Sequence, residues 1–569
     1  MSSGAERRRR ILTRAVPLLV VGLIAFIAGI AVGGGSPELD AAKRFLTAWE
    51  AGDYEAMHAE LTPEAAAEYP IDSFTALYED AATTATAASV ETGEADGPAG
   101  DEVDAPVTMT TDAFGDVTET ISIPVADGAV GWRPELVFPG LQPGEELDRR
   151  TRAPPRAAIL AADGTPLAKG PGSGRTSPLG TSAIDIAGEM GPAKGEQREA
   201  TLAAGFPPGT LVGTSGLELA FESRLAGQPG GQLRAAGNAE RVLATSKPQR
   251  GEPVRTTIAP QLQESTVSAL GDLFGGVAVL DAANGEVKAL AGIAFSSPQP
   301  PGSVFKIVTT TAALESGAVK VDDQFEVVTE AVVEGRAISN AGNAPCGGSF
   351  TESFADSCNS VFAPLGAEVG GEKLLATAED FGFNSPPRLY DAEATAAVDP
   401  PPSTIPDPIG SELEVAVTAI GQGQVLASPL QMASIAQTIA AGGKRSPTPL
   451  VTEPALAPEG GPAEVTDTEI ANTVRDLMVA NVQSGTGEAA AIPEAQVAGK
   501  TGTAELGPDP DAPAPAPGES PALEENAWFI AFAPAAKPKL AVAVMIVDAT
   551  GSGGEVAAPI AAEILSSAL

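Results

Sequence analysis

The sequence predicts a membrane-anchored, multidomain α+β protein. Three observations lead there. At 569 residues the chain exceeds what one hydrophobic core supports, so roughly two to four domains are expected. A long uncharged run follows a cluster of arginines near the N-terminus. Helical and strand-like hydrophobic periods then alternate in separate blocks down the chain. Hydrophobic residues make up 43% of the sequence, enough for several cores, while 63 Gly and 50 Pro predict many loops.

The anchor comes first. Arg7 to Arg10 and Arg14 are basic, and Ala15 to Gly35 are 21 residues without a charge. At about 1.5 Å per residue such a helix crosses the roughly 30 Å hydrocarbon layer. Arginines stay on the cytoplasmic side, so residues 1–14 are expected as a cytoplasmic tail, 15–35 as a single transmembrane helix, and the bulk as extracytoplasmic. Small residues at the end of the run also fit a cleaved signal peptide, but the run exceeds the ~7–15 residues of a signal core.

Net charge is −40, and residues 1–14 carry +4, so the remainder carries −44. A body this acidic does not bind nucleic acid by neutralising phosphate, and it reads as a solvated surface. With two cysteines and one histidine in the whole chain, no metal-ligand cluster and no cofactor are expected. Outside the membrane, Cys346 and Cys358 can pair or remain as two thiols; a disulfide is the expectation.

Residues 38–60 read as two helices broken at Gly52-Asp53, with Leu39, Ala42, Phe45, Leu46 and Trp49 on one face. VDAPVTMTT, VTETISIPVA and AVGWRPELVF then alternate like strands, which makes 38–140 a small α+β domain. His58 falls on the second helix and reads as a packing residue. Residues 141–155 read as a polar linker. RAAILAADGTPLA reads as a strand, an Asp-Gly turn and a strand, and LVGTSGLELAFESRLAGQPGG as a helical face ending in glycines. From 261 to 569 the order is a helix, a hairpin turning at Asn284-Gly285, a long helical middle, two apolar strands and a closing helix.

Three motifs lie in that last segment. Ser303 and Lys306 share a helix face at i and i+3, which sets an amine beside a hydroxyl. Pro300-Pro301-Gly302 suits a loop entering a helix, whose N-terminal N–H groups can face an oxyanion. Ser357-Cys358-Asn359 offers a hydroxyl for proton relay and an amide to bond Lys306 and a substrate amide, or else a helix cap formed by Asp356 or Ser357. Lys500-Thr501-Gly502-Thr503 reads as a strand whose lysine and hydroxyls can hold a carboxylate, with Gly502 admitting substrate backbone; the bland alternative is an edge strand with a solvated lysine. Each motif alone is weak. Together, in this order, they can build an acyl-transfer site without histidine. After Glu505 some twenty Pro-, Ala- and acid-rich residues read as a solvated loop.

The S-x-x-K, S-x-N and K-T-G set resembles that of penicillin-binding proteins and related β-lactamases. Residues 261–569 resemble the transpeptidase fold, an antiparallel sheet flanked by helices. RAAILAADGTPLA and the Gly216-Leu217-Glu218 stretch resemble the pedestal, or dimerisation, domain of class B members, placing it at 150–260. FLTAWEAGDYEAMHAELTP resembles the nuclear-transport-factor-like domain of methicillin-resistance-type members.

The resemblance implies a D,D-transpeptidase that cross-links peptidoglycan stem peptides with loss of terminal D-alanine and is acylated by β-lactams. It implies Ser303 as nucleophile, Lys306 as its base and Ser357 as proton relay, with Asn359 beside them. It further implies Lys500, Thr501 and Thr503 around the terminal carboxylate, Gly502 in the substrate strand, and the N–H groups of Ser303 and Thr503 as oxyanion hole. A Cys346–Cys358 bond would brace Ser357 and Asn359. A separate glycosyltransferase is the expected partner. A membrane-anchored β-lactam-binding protein or β-lactamase-like hydrolase is the alternative; extra domains and an anchor argue against the hydrolase, and about fourteen cytoplasmic residues are too few for a sensor.

Overall fold

The computed structural model describes residues 36–391, 400–508 and 523–569. The expected tail and transmembrane helix at 1–35, and residues 509–522 of the acidic loop, lie outside the described residues. Among the described residues no helix is long and apolar enough to cross a membrane. Two compact units result.

In the first, helix α1 (Pro37–Glu50) is capped by Ser36, whose hydroxyl accepts from Leu39 N. Asp53 caps α2 (Tyr54–Ala59) in the same way, so the expected break at Gly52-Asp53 is a C-terminus followed by a new cap. Helices α3 (Pro63–Glu68) and α4 (Ile71–Ala85) follow. They are succeeded by strands β1 (Ala87–Thr92), β2 (Asp96–Ala99), β3 (Glu102–Thr111), β4 (Gly115–Ala126) and β5 (Ala129–Val130), in the order β1-β3-β4-β5 with β2 also on β3. Aromatic rings fill the space between helices and sheet. Trp132 Nε1 donates to Tyr78 Oη at 2.8 Å, and Tyr78 donates on to the Leu136 carbonyl, so both buried polar groups are satisfied. His58 bonds the Tyr69 carbonyl through Nε2 and meets Phe74 edge-on, which makes it the packing residue expected.

Two expectations fail here. AVGWRPELVF forms only the short β5 before turning into a 3-10 helix at Pro134–Val137, where the proline lacks the N–H a ladder needs. Residues 141–155 are not a linker: Glu146–Arg152 is a strand paired along its length with Gly230–Ala236. It is a sheet edge, and its charges suit an edge, which is why it lacks the alternation of a half-buried strand.

The pedestal span is divided: Pro192–Val212 and Ala226–Gly251 cluster with the first unit, while Ala157–Gly191 and Gly213–Leu225 cluster with the second. Within the second unit Glu218, almost fully buried, pairs with Arg175 at 2.6 Å, which gives the Gly216-Leu217-Glu218 stretch a structural purpose. Helix α5 (Pro260–Leu270) leads into β6 (Gly275–Asp281) and β7 (Val287–Gly292), joined by the expected hairpin. Helix α6 (Lys306–Ser316), β8 (Cys346–Ser349), α7 (Phe350–Ala355), α8 (Asn359–Val369), α9 (Pro429–Ala440) and α10 (Thr468–Ser484) form the helical middle. Strands β9 (Ala498–Pro508), β10 (Leu523–Ala533) and β11 (Leu540–Ile546) precede the closing α11 (Ala558–Ala568). The central sheet runs β7-β6-β11-β10-β9 and is antiparallel throughout. Its strands are apolar on both faces because helices cover both: α6, α8 and α9 contribute to one core, α5 and α11 to another.

Candidate active site

Ser303 lies in a single 3-10 turn, Gly302–Phe305, that runs directly into α6. The turn is pressed against β9. Gly302 holds φ +54°, and a Cβ on it would stand 2.5 Å from the Thr503 carbonyl oxygen. On the facing strand a Cβ on Gly502 would stand 2.8 Å from the Pro301 carbonyl oxygen. Two glycines therefore let nucleophile turn and strand touch backbone to backbone. The close approach that Gly502 permits is made by the protein's own chain, where the sequence had pointed to substrate. Trp528, buried on β10, donates from Nε1 to the Pro300 carbonyl at 2.9 Å and fixes the entry to the turn.

Lys306 is fully buried, one helical turn inside. Its Nζ donates to Asn359 Oδ1 at 2.7 Å, to the Ser357 carbonyl at 2.8 Å and to Ser357 Oγ at 3.2 Å. Ser357 sits between α7 and α8 with φ +61°, a left-handed conformation uncommon for serine. The alternative of a capping role for Ser357 is not realised: the residue at the α8 cap position is Cys358, without a side-chain cap bond, and the Ser357 hydroxyl accepts from the two lysines. Asn359 also donates through Nδ2 to the Ser339 carbonyl at 2.9 Å, which orients its amide oxygen toward Lys306.

Lys500 is on β9, the sheet edge, but it is fully buried, so the solvated-lysine alternative fails. Its Nζ donates to Ser357 Oγ at 2.9 Å and to the Thr501 carbonyl at 3.0 Å. Both amines also face aromatic rings, Lys306 over Phe362 and Lys500 over Phe354. Burial, and secondly the charge of Lys500, push the Lys306 amine well below the usual lysine range. Burial likewise lowers Lys500, to about 7, against the opposing pull of Asp356.

Thr501 is buried with its hydroxyl paired to that of Thr486, and the Thr503 hydroxyl accepts from Gly553 N at 3.3 Å. Thr486 is itself held by Asn481 Nδ2 at 2.9 Å. Sequence reasoning missed Thr486, Asn481 and Trp528. The Gly-flanked Thr486 in SGTG was a usable signal; Trp528 offered none beyond an apolar strand. Cys346 and Cys358 form a disulfide, tying β8 to the start of α8 one residue beyond Ser357.

Ser303, Lys306, Ser357, Asn359, Lys500, Thr501, Gly502 and Thr503 thus converge on one end of the central sheet. A half-buried serine one turn ahead of a buried lysine, a second hydroxyl shared by two lysines, and a sheet edge are an arrangement suited to acyl transfer without imidazole.

Comparison with known proteins gives the family. Residues 275–566 match the model of the penicillin binding protein transpeptidase domain, and residues 170–256 that of the penicillin-binding protein dimerisation domain. The peptidoglycan D,D-transpeptidase PbpA of Mycolicibacterium smegmatis is 33% identical over 416 residues, spanning 63% of this chain and 80% of that protein. Its namesake in Mycobacterium tuberculosis is 32% identical over 385 residues, spanning 57% and 74%. The crystal structure of M. tuberculosis PBPA, and its penicillin G acyl-enzyme complex, each superpose with TM-score 0.56 at 27% identity, covering 73% of this chain and 99% of theirs. The chain belongs to the class B penicillin-binding proteins, with a dimerisation domain ahead of its transpeptidase domain.

Proposed function

We propose that this protein is a serine-type peptidoglycan D,D-transpeptidase in which Ser303 forms the acyl-enzyme. The observation that carries the assignment of residues is the shared Ser357 hydroxyl, bonded by Lys306 and Lys500 together. Neutral Lys306 takes the Ser303 proton as Oγ bonds the carbonyl carbon of the penultimate D-alanine. Ser357 passes a proton to the leaving amine as the peptide C–N bond breaks and D-alanine departs. An amine of a neighbouring stem peptide then attacks the ester, and Ser303 recovers its proton. Lys500, Thr501 and Thr503 hold the terminal carboxylate, Asn359 holds Lys306 and a substrate amide, and the N–H groups of Ser303 and Thr503 receive the oxyanion. β-Lactams acylate the same serine, as the acyl-enzyme complexes of the M. tuberculosis relative support.

Around this core we place a single-pass anchor at 15–35 with a cytoplasmic N-terminus, a nuclear-transport-factor-like domain at 38–140, the pedestal at 150–260 and a separate glycosyltransferase partner. The arginine cluster and uncharged run support the anchor; the helices preceding an antiparallel sheet support the N-terminal domain.

Labelling with fluorescent penicillin tests the assignment. Wild type is expected to form a stable covalent adduct and Ser303→Ala none; an adduct retained in the variant would move the nucleophile elsewhere. The pH profile tests the lysines. Lys500 keeps its proton below about 7 and loses it above, and only the ammonium pairs with a carboxylate. The acylation kcat/KM, which reports free enzyme, should therefore fall as pH rises past about 7, by up to about tenfold per unit. A profile flat to pH 9 would count against this division of labour.

A further inference from the structure

A second concave site lies in the transpeptidase unit, away from Ser303. A cavity of about 220 Å³ is lined by Arg445, Arg388, Ser434, Thr448, Gly382 and Glu459, among others. Its place follows from sheet register. Thr503 sits across from Ala527, which pairs with Ile546, which pairs with Gly275; the nucleophile is therefore at that end. Ser446 and Pro447 pack on Gly285, in the turn joining β6 to β7, at the opposite end of those strands.

Arg445 is the unusual member. Its guanidinium lies against the backbone of Gly382, where a Cβ would stand 2.5 Å from Nη1; Gly382 holds φ +103°. Its Nε is buried without a hydrogen-bond partner, and among the described residues no carboxylate comes within 4.0 Å of it. Burial lowers its pKa, with Asp380 opposing at longer range. A half-buried guanidinium whose counter-charge, Asp380, does not touch it is costly unless something nearer supplies one. Ser434 and Thr448 are 6% and 8% exposed, and neither side-chain hydroxyl is committed to a described partner. Arg388 stands at the rim on the exposed side, 3.7 Å from Asp391, and Glu459 is the one acidic lining group. In a chain with 34 basic against 74 acidic residues, a cavity that gathers two arginines and two spare hydroxyls runs against the general acidic field.

We propose that this cavity binds an anionic oxygen group, a phosphate or a carboxylate, of a ligand other than the stem peptide held at Ser303. Arg445 supplies the fixed charge, Ser434 and Thr448 the orienting hydroxyls, and Arg388 closes from the rim. The group could belong to a phosphate ester or to a carboxylated sugar or peptide, and the two sources share this chemistry.

The test uses full-length protein in detergent, melted with inorganic phosphate, succinate or chloride at matched ionic strength. Phosphate or succinate at roughly ten times its Kd should raise the melting midpoint by about 2–4 °C over chloride. A rise with phosphate alone assigns a phosphate ester, and with succinate alone a carboxylate; either supports the site. Arg445→Gln should abolish the rise while penicillin labelling of Ser303 persists. Should that variant not fold, Thr448→Val must weaken binding about threefold or more. No rise in wild type, or an equal rise in the variants, would overturn the proposal.

Discussion

Replacing Lys306 with methionine is expected to slow acylation of Ser303 by penicillin about 10³–10⁴-fold at neutral pH, the upper range for loss of a general base. Methionine keeps the stem that packs in the core and removes only the amine. What disappears is the amine, one turn from Ser303, that bonds Ser357 and Asn359 and is proposed as the base. A stopped-flow measurement with a chromogenic β-lactam reads the rate directly. The residual rate in the variant should climb about tenfold per pH unit, as hydroxide takes over, where wild type follows a bell. Penicillin affinity before acylation should change little. A loss of less than tenfold would mean that Lys500, through Ser357, is the working base.

Removing the disulfide with Cys346→Ala/Cys358→Ala should have the next largest effect. The bridge closes a short loop of sequence separation 12, worth about 3 kcal/mol by the chain-entropy estimate. It also has a local task. Ser357 immediately precedes Cys358 and is held at φ +61°, which costs roughly 1–2 kcal/mol for a residue with a Cβ. Without the tether the backbone can relax, and the hydroxyl shared by the two lysines moves with it. An earlier melting midpoint and an acylation rate lower by about tenfold are expected together. Earlier melting with an unchanged rate would confine the bridge to stability.

The transpeptidase unit was legible because its strands are long, apolar and bounded by plain turn signals, as at Asn284-Gly285. Its motifs were legible because serine–lysine chemistry needs fixed short spacings. What stayed hidden depends on distant pairing. Glu146–Arg152 reads as a linker until Gly230–Ala236, some eighty residues later, supplies its ladder. Gly502 invites a substrate reading because nothing local shows that Pro301 fills the space beside it. The Ser357 hydroxyl could have capped a helix, and only the buried Lys306 and Lys500 decide otherwise. Thr486 gains its meaning solely from the neighbouring strand.

The disulfide has a practical consequence for the whole chain. With Cys346 and Cys358 joined and no other cysteine in the sequence, the folded protein carries no thiol at all. Maleimides and other sulfur-seeking electrophiles should leave it untouched. A single cysteine engineered on an exposed surface would then be a unique chemical handle, ready for a dye or spin probe without stripping native residues first.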